Sequence, residues 1–258
     1  MLTVENLSKS FGGVQAMKDV SLDFPAGSLT AVIGPNGAGK TTFFNLISGH
    51  IRPDAGTVRL DGENIVGLSS LEIVRRGMCR AFQVANIFAD MTLRDSLAAA
   101  VTSRMGRSYA MGARFPLPEA QTRADEIMEL IGLTRQAKAL SRNLPHGDQK
   151  LLDIALALAL EPKVLLLDEP TAGMGAEERW KMIDKVRRLW EVEKLTMIFI
   201  EHDMDIVFKV AQSISVLKYG QVLAEGTPDE IRRNQEVIDA YLGTDHTPPE
   251  VSGEEHVQ

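Results

Sequence analysis

The residues with the clearest chemical potential lie at 34–41, Gly-Pro-Asn-Gly-Ala-Gly-Lys-Thr. They fit the pattern G-x-x-x-x-G-K-[ST], in which glycines turn backbone N–H groups inward onto phosphate oxygens, the lysine ammonium reaches the outer phosphates and the hydroxyl ligates Mg²⁺. Gly34, Asn36, Gly37, Ala38, Gly39, Lys40, Thr41 and Thr42 are therefore candidate contacts to a nucleotide, with Thr41 also a candidate metal ligand. A second group is the carboxylate pair Asp168 and Glu169, which ends an apolar run. Ligands of open α/β sheets collect at the carboxyl ends of strands. Asp168 is placed there to hold Mg²⁺, and Glu169 to orient and polarise an attacking water. An acidic pair in this position can also merely cap the next helix, but beside a phosphate loop the catalytic reading is the stronger one. A third group, Leu144-Pro145-His146-Gly147-Asp148-Gln149, is a glycine loop opening a helical stretch, with Asp148 as a plausible N-cap. It offers a second anion site, redundant within one molecule unless two molecules meet.

The segments that must position these groups follow from periodicity. Residues 2–24 alternate around Gly12-Gly13, predicting two short antiparallel strands. Residues 29–33 read as a buried strand leading into the phosphate loop, and residues from 42 as the helix after it. Residues 57–60 read as a strand with a hairpin turn at Asp61-Gly62, 71–76 as a helix and 80–83 as a short strand. From residue 84 the texture changes to Ala, Leu, Met, Glu and Arg at helical spacing, which predicts two or three inserted helices. The run before Asp168 has a continuous apolar centre, as expected of a strand covered on both faces, and 196–200 reads as another buried strand. A helix over 176–194 carries Glu177 and Lys181 in the stabilising order. Residues 213–217 and 221–224 read as a hairpin through Tyr219-Gly220, and a final helix runs from Pro228 to near Tyr241. The expected fold is thus α/β, a mixed or parallel sheet flanked by helices with an N-terminal antiparallel β region and an inserted α-helical subdomain. Its expected boundaries are a core of 1–84 and 162–243, a helical subdomain of about 85–161, and a disordered tail over 244–258.

Composition is that of an ordinary globular chain. The net charge of −7 and pI near 5.3 argue against nucleic acid as the main partner, because duplex binding is driven by neutralising phosphates with Lys and Arg. The single Cys79 forms no intrachain disulfide, which suits a reducing compartment. No signal peptide or membrane span is expected, so any link to a membrane goes through a partner.

With these three motifs in order, the chain resembles the nucleotide-binding subunit of an ATP-binding cassette (ABC) transporter over residues 2–243. The resemblance implies ATP and Mg²⁺ as cofactors. It makes 34–41 the Walker A loop, the run ending at Asp168 the Walker B strand, and Glu169 the catalytic glutamate. It also assigns roles that the residues alone do not. Gln83 matches the Q-loop glutamine, which touches Mg²⁺ and the attacking water and senses the membrane partner. His202 matches the switch histidine at the γ-phosphate; a lone histidine at a strand end is otherwise more often structural. Phe11 matches the aromatic that stacks on adenine, its alternative being a cap on the core. Gly147 matches the signature loop, which closes over the ATP of the partner subunit.

Two motifs depart from the commonest family form. Pro145 stands where the signature serine is usual, and Asp148 where glutamine is common. Ala172-Gly173-Met174-Gly175 replaces the usual Ser-Ala-Leu-Asp. Neither departure touches Lys40, Asp168, Glu169 or His202, so a working ATPase is expected, slower than average.

Arg80-Ala-Phe-Gln83, Thr171-Ala-Gly-Met174 and Val237-Ile-Asp-Ala-Tyr-Leu-Gly243 resemble importer ATPases for branched-chain amino acids and for related solutes such as amides and urea. The competing resemblances are to the ATPase of a lipopolysaccharide exporter and to a soluble cassette ATPase. The importer resemblance implies a head-to-tail dimer with a like or paralogous subunit at the cytoplasmic face of the membrane. It also implies integral permease subunits and, indirectly, a periplasmic or extracellular solute-binding protein. Ile87, Phe88 and Met91 are candidate contacts to the permease helices, their alternative being the core.

Overall fold

The alternating N-terminal pattern builds β1 (Leu2–Phe11) and β2 (Val14–Phe24), ten and eleven residues long rather than short, turned by Gly12 and Gly13 at positive φ. The structure is a computed structural model that describes residues 1–81, 88–106 and 115–242. Expectations for Gln83 and for 244–258 therefore concern chain outside the described residues.

Every residue of β3 (Leu29–Ile33) is buried, and the phosphate loop leads from it into α1 (Lys40–Ile47). The hairpin β4 (Ala55–Leu60) and β5 (Glu63–Asn64) turns at Asp61-Gly62, as its sequence requires. The helix α2 (Ser70–Arg76) is capped reciprocally by Ser69 and Glu72. It leads to β6 (Met78–Ala81), which starts two residues before the predicted strand and runs to the edge of the described residues. Among the described residues three α-helices follow before the sheet resumes: α3 (Leu93–Arg104), α4 (Pro118–Ile131) and α5 (His146–Leu158). Then come β7 (Val164–Asp168), α6 (Ala176–Glu193), β8 (Thr196–Ile200) and α7 (Met204–Val210). The chain closes with β9 (Ser213–Lys218), β10 (Gln221–Gly226), α8 (Pro228–Arg233) and α9 (Gln235–Leu242).

Two local expectations are corrected and one element is new. Asp148 is not an N-cap: Pro145 takes that place in extended conformation and Asp148 falls inside the first turn of α5. There its charge still faces the positive end of the helix. The C-terminal helix is two helices, because Asn234 is extended (ψ 114°) and its side chain accepts from Val237 N–H at 3.2 Å. The helix α7 was not anticipated. Asp203 starts it by accepting the N–H groups of Asp205 and Ile206.

The strands form two sheets, β2-β1-β4-β5 and β10-β9-β3-β8-β7-β6. In the second, β9, β3, β8, β7 and β6 run parallel and only the edge strand β10 is antiparallel. Leu165 and Leu167 of β7 and Met197 and Phe199 of β8 join one apolar cluster with Leu97 of α3, Ile127 of α4 and Leu152 of α5. Their alternate neighbours Leu166, Ile198 and Ile200 join a second cluster with Phe43, Phe44 and Ile47 of α1 and Val4, Met17 and Phe24 of the antiparallel sheet. The helix carrying Lys40 and Thr41 is therefore packed between the two sheets, and the large sheet is covered on both faces.

The turn Tyr219-Gly220 fastens the phosphate loop. Gly220 N–H donates to Ala38 C=O at 3.0 Å, and Gly220 C=O accepts from Lys18 N–H at 2.8 Å. Gly220 has φ +72°, and a Cβ there would lie 2.4 Å from Ala16 C=O. Gly220→Ala is expected to destabilise the fold by about 2–3 kcal/mol. Gly62→Ala, at φ +85° with nothing within 4 Å, is expected to lose only about 1 kcal/mol. Thermal unfolding of the two variants checks this, and equal melting points would contradict the clash.

Candidate functional site

At the carboxyl end of β3 the chain must leave the sheet and enter α1 within six residues, and glycine makes this possible. Gly37 and Gly39 have φ of +78° and +100°, and Gly39 is the N-cap of α1. The loop walls a cavity of about 500 Å³ lined by Asn36, Gly37, Ala38, Gly39, Lys40, Thr41 and Thr42. Glu169 and His202 also line it, with Gln15, Ala16 and Gly220, and the exposed Val14 and Tyr219 mark its mouth.

The Lys40 ammonium is buried and donates to Gly34 C=O at 2.6 Å and Pro35 C=O at 3.1 Å. Burial lowers its pKa, and the negative charges of Glu169 and Asp168 partly oppose that shift. An under-solvated cation at a helix N-terminus is well placed to take an anion.

Glu169 leaves β7 with φ +49°, an uncommon conformation for a non-glycine residue. Its N–H donates to Ile200 C=O at 3.1 Å, and its carbonyl accepts from the buried Lys150 ammonium at 3.2 Å. Lys150 also donates to Ala172 C=O at 2.8 Å, so it ties α5 to the loop after β7. His202 follows the parallel neighbour β8, which places Nε2 of His202 2.8 Å from Oε1 of Glu169. A carboxylate hydrogen-bonded to an imidazole, both lining the cavity, is an arrangement that can hold and polarise a water.

The predicted residues do not all converge. Asp168 is buried one position from Glu169 but does not line the cavity; its Oδ2 accepts from Arg80. Gly34 lies behind the loop, where a Cβ would meet Leu217 C=O at 2.1 Å. Phe11 is 45% exposed at the end of β1, paired with Val14 of the mouth but outside the lining. Gly147 is in the first turn of α5 near Met174, away from this chain's own cavity. Phe88 is 50% exposed and Met91 half-buried, and Ile87 lies outside the described residues.

Sequence reasoning missed two parts of the site. Glu201, buried at the end of β8, accepts the N–H and the hydroxyl of Thr171 at 3.0 and 2.6 Å, and His202 N–H at 3.2 Å. It thereby locks the loop carrying His202 to the one following Glu169. Tyr219, 75% exposed, stands at the mouth. The Glu-His-Asp string and the Tyr-Gly turn were visible, but their contacts lie across strands.

The ABC transporter family profile matches residues 17–172. The chain belongs to the ABC transporter ATPases. Residues 221–257 of this cassette also match the profile described as branched-chain amino acid ATP-binding cassette transporter. A high-affinity branched-chain amino acid transport ATP-binding protein, LivG of Salmonella typhimurium, is 38% identical over 94% of this chain and 98% of its own length. The crystal structure of an ABC transporter cassette in its ADP conformation superposes with a TM-score of 0.82, at 28% identity over 94% of this chain and 98% of that one. A dimeric cassette in a post-hydrolysis state bound to ADP and Pi gives 0.74, at 26% identity over 88% and 99%. The cassette is thus an ATP-binding and ATP-hydrolysing subunit of a transporter. No helix among the described residues is long and apolar enough to cross a membrane.

The oxygen donors near the cavity form a set compatible with Mg²⁺. Magnesium favours oxygen ligands, one or two carboxylates supplemented by substrate phosphates, rather than an all-protein cage. Thr41 offers a hydroxyl and Asp168 a carboxylate, and no cluster of three or more acidic, histidine or cysteine groups that could hold a metal occurs among the described residues.

Proposed function

We propose that this cassette powers the import of branched-chain amino acids, hydrolysing ATP between two head-to-tail cassettes docked on permease subunits at the cytoplasmic face of the membrane. The observation that carries the solute class is the match of residues 221–257 to the branched-chain amino acid profile, a region separate from the shared ATPase motifs.

In this reading the phosphates lie along Asn36 to Thr42, with Lys40 turning from the carbonyls of Gly34 and Pro35 to the outer phosphates. Thr41, Asp168 and Gln83 would hold Mg²⁺, which would neutralise charge on the phosphates. Glu169 takes the proton of the attacking water, and His202 keeps that carboxylate aimed while it contacts the γ-phosphate. Phe11 stacks on adenine at the mouth. Gly147, at the start of α5, presents backbone N–H groups to the ATP of the opposing cassette. Pro145 removes a hydroxyl donor there, which leaves those N–H groups to do the work. The half-exposed Phe88 and Met91, next to the segment bearing Gln83, form the edge on which the permease helices rest.

The test is co-expression with the permease and solute-binding subunits followed by membrane fractionation and reconstitution. The cassette is expected in the membrane fraction only with its permeases, and leucine, isoleucine or valine with the binding protein is expected to stimulate its ATPase several-fold. Stimulation by a lipid instead, or membrane association without permeases, would overturn the proposal.

A further inference from the structure

The Arg80 side chain runs beneath α1 and ends on Asp168. Arg80 lies opposite Leu166 in the parallel pairing of β6 with β7, two residues before Asp168. Its Nη2 donates to Asp168 Oδ2 at 2.6 Å, and its Nη1 donates to Asn45 Oδ1 at 2.7 Å and more weakly to Ser48 Oγ at 3.5 Å. The guanidinium carbon is 5.7 Å from the centre of the Phe44 ring. Side-chain exposure is 8% for Arg80 and 6% for Asp168. Asn45, Ser48 and Phe44 belong to α1 or its C-cap, the same helix that starts with Lys40 and Thr41.

A carboxylate buried to this degree needs a compensating charge, because water is not available to solvate it. Asp168 has one in Arg80, held in a planar fork by the polar end of α1. The carboxylate assigned to Mg²⁺ therefore already has a cationic partner, and a divalent ion brought to it meets the guanidinium at close range. Like charges this close repel strongly where solvent screening is weak.

We propose that Arg80 is a resident counter-ion of Asp168 that stands in for Mg²⁺ and sets how much Mg²⁺ the cassette needs to bind nucleotide. It holds the fold together when the metal is away and opposes the metal when it arrives, so ordered binding is linked to the release of one charge by another. This inference rests on the reading of Asp168 as a metal-site carboxylate.

The sign of one measurement separates this role from simple aiming of the carboxylate. The full-length protein is melted with ATP at a series of free Mg²⁺ concentrations, giving the half-saturating Mg²⁺ for nucleotide stabilisation, and again in EDTA without nucleotide. Arg80→Gln is expected to melt several degrees lower in EDTA, and its half-saturating Mg²⁺ is expected to fall about tenfold. If Arg80 served to aim Asp168, the same variant would need more Mg²⁺; an unchanged or raised requirement overturns the proposal. Arg80→Lys keeps the charge but loses the fork that Asn45 and Ser48 pin beside Asp168, so the ammonium can withdraw from an incoming cation and the requirement is expected to fall about two- to threefold. Should Arg80→Gln not fold, an unchanged or raised requirement in Arg80→Lys overturns the proposal on its own. Asp168→Asn guards the premise. If its Mg²⁺ dependence equals that of the unaltered chain, the metal reading of Asp168 fails; if it differs while the Arg80 variants do not, only the counter-ion role fails.

Discussion

Glu169→Gln is expected to lower ATP turnover by about 10²–10⁴-fold, the range over which a positioned general base acts, while ATP affinity stays within about twofold. The amide oxygen can still accept from His202 Nε2, which now lies 2.8 Å from the carboxylate. Gln also replaces Glu at φ +49° without new strain, since both are unbranched at Cβ. What is lost is the capacity to receive a proton. Bound ATP then persists, and two cassettes are expected to remain closed on it. Steady-state hydrolysis, nucleotide titration and gel filtration with ATP read the three consequences separately. Turnover equal to that of the unaltered chain would remove Glu169 from the chemistry.

Lys40→Ala should act on binding instead. The ammonium is a buried cation whose pKa is lowered by desolvation, and it is satisfied by two backbone carbonyls of its own loop. On binding it exchanges these neutral acceptors for an ionised phosphate. Hydrogen bonds to charged groups contribute about 1.5–3 kcal/mol net, so ATP is expected to bind about 10- to 100-fold more weakly. The carbonyls of Gly34 and Pro35 lose their donor, but Lys40 lines the cavity and water entering the space its side chain vacates can replace it, so the melting point without nucleotide should change little. Calorimetric titration giving equal affinity would contradict the assignment. The two variants divide the site cleanly, one losing grip and the other losing chemistry.

The parts of the molecule written in short-range pattern were readable in advance. Three strands of the large sheet, β3, β7 and β8, are apolar except at Thr30, Asp168 and Thr196 because both faces are covered, and glycine spacing marks the phosphate loop. Glu177 and Lys181 meet at 2.6 Å as their spacing requires. What stayed hidden depends on long-range pairing. Arg80 and Asp168 are 88 residues apart and meet only because β6 and β7 are neighbours. Glu201 meets Thr171 because β8 lies beside β7. Short helices were also misread: α7 depends on one capping carboxylate, and the break at Asn234 on a single extended residue, signals too local for a periodic pattern to register.

One consequence concerns the order in which the molecule can be made. The strand bearing the glycine loop has β8 and β9 as its only sheet neighbours, and the loop is fastened by Gly220. A nascent chain therefore releases Lys40, Thr41 and Thr42 from the ribosome long before the strands that shape their grip exist. An unfinished polypeptide is thereby kept from sequestering ATP, and a stop codon ahead of Gly220 would abolish a ligand site whose signature residues all survive in the fragment.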